Sequence, residues 1–199
     1  MGVLRLFSSS LRVKKMGSTI SSAADRIFEL SRAVKDYSYM DQAPIQNVDL
    51  SLALENTLTM LRPRLAGIRV NVHVARDLPL VSAYGSELNQ VWMALLENAI
   101  DSILEYAPSN GCLDVHVNKS GESILVEVWD NGHGIPESLH DRIFEPFFTT
   151  RPPGKCLGLG LDAAQRIAKK HGGYIRIQRC DPGATCILVS LPIERPHLY

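Results

Sequence analysis

Asn98 and Asp101 lie on one face of an apolar helical stretch, with Ala94 one turn earlier, because positions i, i+4 and i+7 align. Their neighbours Val91, Trp92, Leu95 and Leu96 are apolar. An amide buried there needs a partner, since leaving it unmet costs about 1–3 kcal/mol. A neighbouring backbone group or a ligand can supply one. Asp130 closes a second apolar run, Ile124–Trp129, and is followed by Gly132, Gly134 and Ile135. Glycines there free the backbone to turn tightly and approach a ligand. The same letters also write an ordinary Asp-Asn-Gly turn. Further on, Gly158-Leu159-Gly160-Leu161 opens a helix. Bare backbone amides and the positive end of a helix suit a phosphate group. Gly154 and Lys155 precede it, and the lysine can reach a terminal phosphate. Between these segments stands Phe144-Glu145-Pro146-Phe147-Phe148-Thr149-Thr150-Arg151. Its aromatic residues must pack against something.

The elements that position these residues follow from periodicity. Ile20, Ala23, Ile27, Leu30, Val34 and Tyr37 recur in steps of three and four and predict a helix over 18–41. That seam suits either a helix laid on a core or one helix of a dimeric bundle. Pro44 ends it. Asp49 or Ser51 caps the next helix, 51–64. Residues 68–74 alternate apolar and polar, as a strand with one wet face does. Ser86 is the expected cap of a long helix running to about Tyr106. A strand pair, 113–118 and 123–129, turns at Lys119-Ser120-Gly121. A loop-rich stretch, 130–158, leads to a helix at 159–171 that stops at Gly172-Gly173. A last hairpin, 174–179 and 184–191, turns at Asp181-Pro182-Gly183. The expected class is α+β, a two-layer α/β sandwich.

Bulk properties narrow the function. The 199 residues carry 21 Lys+Arg against 21 Asp+Glu, so no net field points to nucleic acid or an acidic membrane. No apolar run approaches the ~20 residues of a membrane span. The start, 1–15, lacks the uninterrupted apolar centre of a signal peptide. Cys112, Cys156, Cys180 and Cys186 show no C-x-x-C spacing, and free thiols in a reducing cytoplasm are expected.

The segments Glu97-Asn98-Ala99-Ile100-Asp101, Asp130-Asn131-Gly132-His133-Gly134, Phe144 to Thr150 and Gly158 to Leu161 stand in one order. Together they resemble the N, G1, F and G2 boxes of the GHKL (Bergerat) ATP-binding fold, in the wording of sensor histidine kinases. The resemblance covers roughly residues 45–193. It implies that Asn98 offers its side-chain oxygen to Mg²⁺ bridging the ATP phosphates, a hard ligand for a hard cation. It implies that Asp130 accepts the adenine amino group, which selects adenine over guanine. The implied nucleotide-binding set is Asn98, Asp101, Asp130, Gly132, Gly134, Ile135, Phe148, Thr149, Thr150, Arg151, Gly154, Lys155, Gly158, Leu159, Gly160 and Leu161. The F box is expected to pack the base of an ATP lid and to help dock the domain on its phosphoacceptor.

Departures from the family pattern are informative. Ala94 stands where gyrase-type ATPases carry a general-base Glu, and alanine transfers no proton. That disfavours a hydrolytic ATPase and a serine kinase of the anti-sigma type. Glu97 is rotated by about 100° from Asn98 and is expected to be solvated or ion-paired. Cys156 and Leu157 replace an expected Gly and Thr, which stiffens the lid. The histidines are 73, 116, 133, 140, 171 and 197, and none lies in or before 18–41. The expectation is therefore a kinase domain, 45–193, whose phosphoacceptor histidine helix is on another segment or chain. A flexible start (1–17), a remnant of the dimerisation helix (18–44) and a tail (194–199) flank it. A response regulator receiver domain and a homodimer through 18–41 complete the implied partners. The alternative is a degenerate domain that docks and dimerises without kinase activity.

Overall fold

The computed structural model describes residues 45–107, 109–152 and 156–194. The 18–41 helix, the 1–17 segment, Gly154, Lys155 and all of the tail but Glu194 lie outside the described residues. Two units divide the chain, Met1–Gln42 with Thr149–Leu157, and Ala43–Phe148 with Gly158–Tyr199. In the first, Thr149 Oγ1 accepts from the Arg151 amide at 3.1 Å and lies 2.9 Å from Cys156 Sγ.

The second unit holds the regular elements. They are β1 (Gln46–Val48), α1 (Leu50–Leu61), β2 (Ile68–Val74), β3 (Val81–Ala83), α2 (Gly85–Tyr106), β4 (Gly111–Ser120), β5 (Ser123–Asp130), α3 (Gly160–Lys170), β6 (Tyr174–Asp181) and β7 (Ala184–Pro192). Five strands form one sheet in the order β2-β4-β5-β7-β6, and β1 pairs with β3 apart from it. Alternation along β4 and β5 buries Leu113, Val115, Val117, Ile124, Val126 and Val128 on one face. Against them pack Leu54 of α1, Leu88, Trp92, Leu95, Leu96, Ile100 and Ile103 of α2, and Ile167 of α3. One helix layer on one sheet is the expected two-layer α/β sandwich.

Local signals explain most boundaries. Asp49 caps α1, accepting from Ser51 N at 2.9 Å and Leu52 N at 3.2 Å. Pro63 then tightens the chain into a 3-10 turn, Arg62–Leu65, three residues short of the expected helix end. Gly172 has φ 76° and closes α3: its N–H donates to Lys169 O and the Gly173 N–H to Ala168 O, both at 2.9 Å. One expectation needs correction. Helix α2 begins at Gly85 after Tyr84, so Ser86 is an exposed first-turn residue and caps nothing. The sheet is mixed, because β2 runs parallel to β4. The three-residue strands β1 and β3 are too short to leave a periodic signal.

Candidate functional site

The end of β5 is the most tightly built part of the site. Asp130 is 7% exposed. Its Oδ1 accepts the Gly132 amide at 2.9 Å, and the side chains of Ser102 and Thr185 also face it. Burial raises its carboxyl pKa above the ordinary 3.8, against the opposing pull of the Gly132 amide, Ser102, His133 and Thr185. Gly132 is required here. A Cβ at that position would lie 1.9 Å from Ser102 Oγ and 2.7 Å from Asp130 Oδ1. Asn131 stitches the following loop to β4, accepting Cys112 N and donating to Asn110 O, both at 2.7 Å. Gly134 passes over the β6–β7 turn, with Asp181 backbone atoms 3.1 Å from where its Cβ would be. The Ile135 amide donates to Cys180 Sγ at 2.7 Å, and that thiol donates back to Ile135 O at 3.1 Å. Burial holds Cys180 above its ordinary pKa, which keeps it a neutral donor. Thus Asp130, Gly132, Gly134 and Ile135 form one wall.

Helix α2 connects this wall to the predicted phosphate end. Ser102, beside Asp130, is one turn beyond Asn98, and Asn98 is one turn beyond Ala94. A Cβ at Gly160, the first residue of α3, would sit 3.5 Å from Ala94 Cβ. The stripe Ala94–Asn98–Ser102 therefore runs from the N-terminus of α3 to Asp130, about 12 Å at 1.5 Å per residue. Asn98 stands midway. Asp101 lies beside it, and its carboxylate is engaged by the Arg64 guanidinium, which also reaches Glu97 at 3.4 Å. Glu97 is thus ion-paired.

At the α3 end, Gly158 has φ 69°, and a Cβ there would lie 2.3 Å from Phe148 O. Only glycine lets the chain enter α3 against the F segment. Leu159 and Leu161 flank it and are half-buried. The three F-segment aromatics do not share one environment. Phe144 packs against the core, and Phe148 lies under Arg142, whose guanidinium carbon is 4.5 Å from the ring centre. Phe147 is 66% exposed with φ 65°. The expected packing of this loop therefore holds for two of three. Phe147 is held in a costly backbone conformation and leaves most of its side chain exposed. Thr149, Thr150 and Arg151 belong to the other unit.

Residues that sequence reasoning missed are Ser102, Thr185, Cys180 and Arg64. Ser102 was open to discovery, being one turn from Asn98. Thr185 was not, because its place opposite Asp130 exists only in the β5–β7 ladder. Its hydroxyl is buried between the Asp130 carboxylate and the Cys180 thiol and favours the ionised form of each. A hydroxyl, which can donate and accept, beside a buried carboxylate acceptor suits a heteroaromatic base that carries both donors and acceptors.

Residues 85–195, more than half of the chain, match the histidine kinase-, DNA gyrase B- and HSP90-like ATPase family. The chain belongs to that family. Within it, the likeness is to sensor histidine kinases, and the chain carries an ATP-binding catalytic domain of their kind. It is 28% identical to the sensor protein TdiS of Thauera aromatica over 85% of this chain and 31% of that one. It is 27% identical to the sensor histidine kinase TmoS of Ectopseudomonas mendocina over 92% of this chain and 19% of that one. It therefore spans less than a third of these relatives. Among solved structures, a mycobacterial sensor histidine kinase, MprB, superposes with a TM-score of 0.66 at 26% identity, covering 77% of this chain and 100% of that one. No described helix is long and apolar enough to cross a membrane.

Proposed function

We propose that this domain binds Mg-ATP and transfers the γ-phosphate to a histidine outside the segment described. The stripe Ala94–Asn98–Ser102 carries the reading, because it ties a buried adenine-type acceptor, Asp130, to a glycine-opened helix N-terminus. Asp130 and the Thr185 hydroxyl take the base. Gly132, Gly134 and Ile135 form its wall, and Phe148 closes the loop side. The amides around Gly158, Leu159, Gly160 and Leu161 face the phosphates. Asn98 supplies an oxygen for Mg²⁺, flanked by Asp101 in its Arg64 pair. The metal, when bound, neutralises charge developing on the phosphate oxygens.

Chemistry is then positioning. An imidazole nitrogen attacks the γ-phosphorus in line as the bond to the bridging oxygen breaks and ADP leaves. Ala94 puts no carboxylate on the stripe where water would need a base, which favours transfer over hydrolysis. Phe147, exposed and strained, is the natural contact for the phosphoacceptor helix. A homodimer through 18–41, a receiver domain as final acceptor and a cytoplasmic setting complete the reading.

A calorimetric titration of ATP into the chain tests it, with and without Mg²⁺ and with GTP as control. Saturable, Mg-enhanced, adenine-selective binding is expected. No binding up to millimolar ATP would overturn the reading.

A further inference from the structure

Helices α2 and α3 are antiparallel: Gly160 meets Ala94, while Lys170, at the other end of α3, meets Glu87 in the first turn of α2. At the Gly160 end a glycine faces an alanine, and even an added Cβ would lie 3.5 Å from Ala94 Cβ, so this point resists sliding weakly. The far end is built differently. Glu87 is 2% exposed. Its Oε1 accepts from Lys170 Nζ at 2.8 Å, and its Oε2, buried and without a hydrogen-bond partner, lies 4.0 Å from His171 Nδ1. His171 is also buried. Its Nδ1 lies 2.8 Å from Ile167 O, so this nitrogen carries the proton. Its Nε2 then accepts the backbone N–H of Tyr84, the residue that starts α2, at 3.1 Å. Lys170 Nζ sits 4.8 Å from the centre of the Tyr84 ring. The last turn of α3 is thus fastened to the first turn of α2 by polar groups that the proposed phosphoryl transfer does not use.

We propose that Glu87, Lys170 and His171 form a registration clamp, positioning residues that set the phosphate affinity of a site at the opposite end of the same helix pair. The physical reason is rigidity. A helix transmits a slip along its axis undiminished, and one residue of slip is about 1.5 Å. Asn98 sits one turn past the Ala94–Gly160 contact, so such a slip changes its distance to the α3 amides directly. Asp130 is held by Gly132, the loop and the β7 ladder rather than by α3. The clamp therefore governs the phosphate end and leaves the adenine end alone. This is costly: a buried carboxylate with one orphaned oxygen contributes little to stability. The tight fastening makes sense as positional precision.

The inference rests on the ATP-binding reading, and its test separates the two. Glu87→Gln and Glu87→Asp are titrated by calorimetry with Mg-ATP, Mg-ADP and adenosine, beside the unaltered chain. The Asp variant keeps the charge but withdraws it by one methylene, and it carries the test should the Gln variant not fold. The expected result is about tenfold weaker ATP and ADP binding, equivalent to 1.4 kcal/mol, with adenosine within twofold of the original. His171→Gln, which retains an acceptor for the Tyr84 amide, should lose less ATP affinity than His171→Ala. Equal losses for ATP and adenosine, or unchanged ATP affinity beside a lowered melting temperature, would overturn the clamp. If the unaltered chain binds no ATP, the proposed function fails instead. Amide hydrogen exchange at the start of α3 then decides the clamp: faster exchange at Leu161–Ala163 in Glu87→Gln, with α1 unchanged, supports it, and unchanged exchange at α3 refutes it.

Discussion

The two ends of the Ala94–Asn98–Ser102 stripe are built by opposite means. At the Asp130 end, a carboxylate is buried and held by an amide, a serine and the β7 ladder, and its glycine neighbour has no free space. At the α3 end, no such network is seen among the described residues: Gly158 and Gly160 offer backbone, and a Cβ on Gly160 would meet only Ala94. In the proposed function, the first end selects the base by unyielding geometry. The second, on the same proposal, takes the phosphates and depends on helix registry for its shape. Selectivity and affinity for phosphate are therefore separable here, and substitutions should divide along that line.

Gly132→Ala should have the largest effect. Its methyl would overlap Ser102 Oγ and press on Asp130 Oδ1. The wall must move at a cost of about 1–3 kcal/mol, visible as a lower melting temperature, and ATP and adenosine binding should both disappear from calorimetry.

Asp130→Asn should come next and should sharpen the contrast. A hydrogen bond to a charged acceptor is worth about 1.5–3 kcal/mol, so ATP and adenosine affinity should both fall by roughly tenfold to a hundredfold. Stability of the free chain should not fall with it. Because burial raises the Asp130 pKa, the folded state holds this proton more tightly than the unfolded chain. Its ionised form is thus a penalty, present in full above the raised value, shrinking as pH falls through that value and gone below 3.8. The melting temperature of Asp130→Asn should equal or exceed that of the parent at pH 7, and the excess should vanish towards pH 4. A variant less stable than the parent at pH 7 would show that the carboxylate is structural.

Gly158→Ala probes the other end. A side chain at φ 69° costs about 1–2 kcal/mol, and the methyl would meet Phe148 O. ATP and ADP affinity should drop about tenfold, while adenosine binding stays. Equal loss for all three ligands would break the separation of the two ends. The smallest effect should come from Arg64→Met. The pair with Asp101 and Glu97 is 39% exposed on the arginine side, and such pairs contribute about 0.2–1 kcal/mol. Urea unfolding should register that shift, and adenosine affinity should not change.

Legibility in the sequence follows the range of the interaction. Asp130, Gly132, Gly158 and Gly160 could be singled out because turns and helix entries are decided within a few residues. Asp49 as the α1 cap and Gly172 as the α3 stop are local in the same way. Ser86 misled, because capping depends on where the helix actually starts, and the β1–β3 ribbon places that start at Gly85. Thr185 had no sequence signal, since 55 residues of chain separate it from Asp130 and only the β5–β7 register joins them.

By itself, then, the sequence determined the order of boxes, the alternation that makes the sheet two-faced and the residues able to meet a nucleotide, because each depends on side-chain type and short spacing. Tertiary structure alone decided that Ser102 and Thr185 face Asp130, that Ala94 lies opposite Gly160, and that Glu87 meets Lys170 and His171 across two helices. Those contacts arise from strand register and helix packing, which no local stretch of chain can encode.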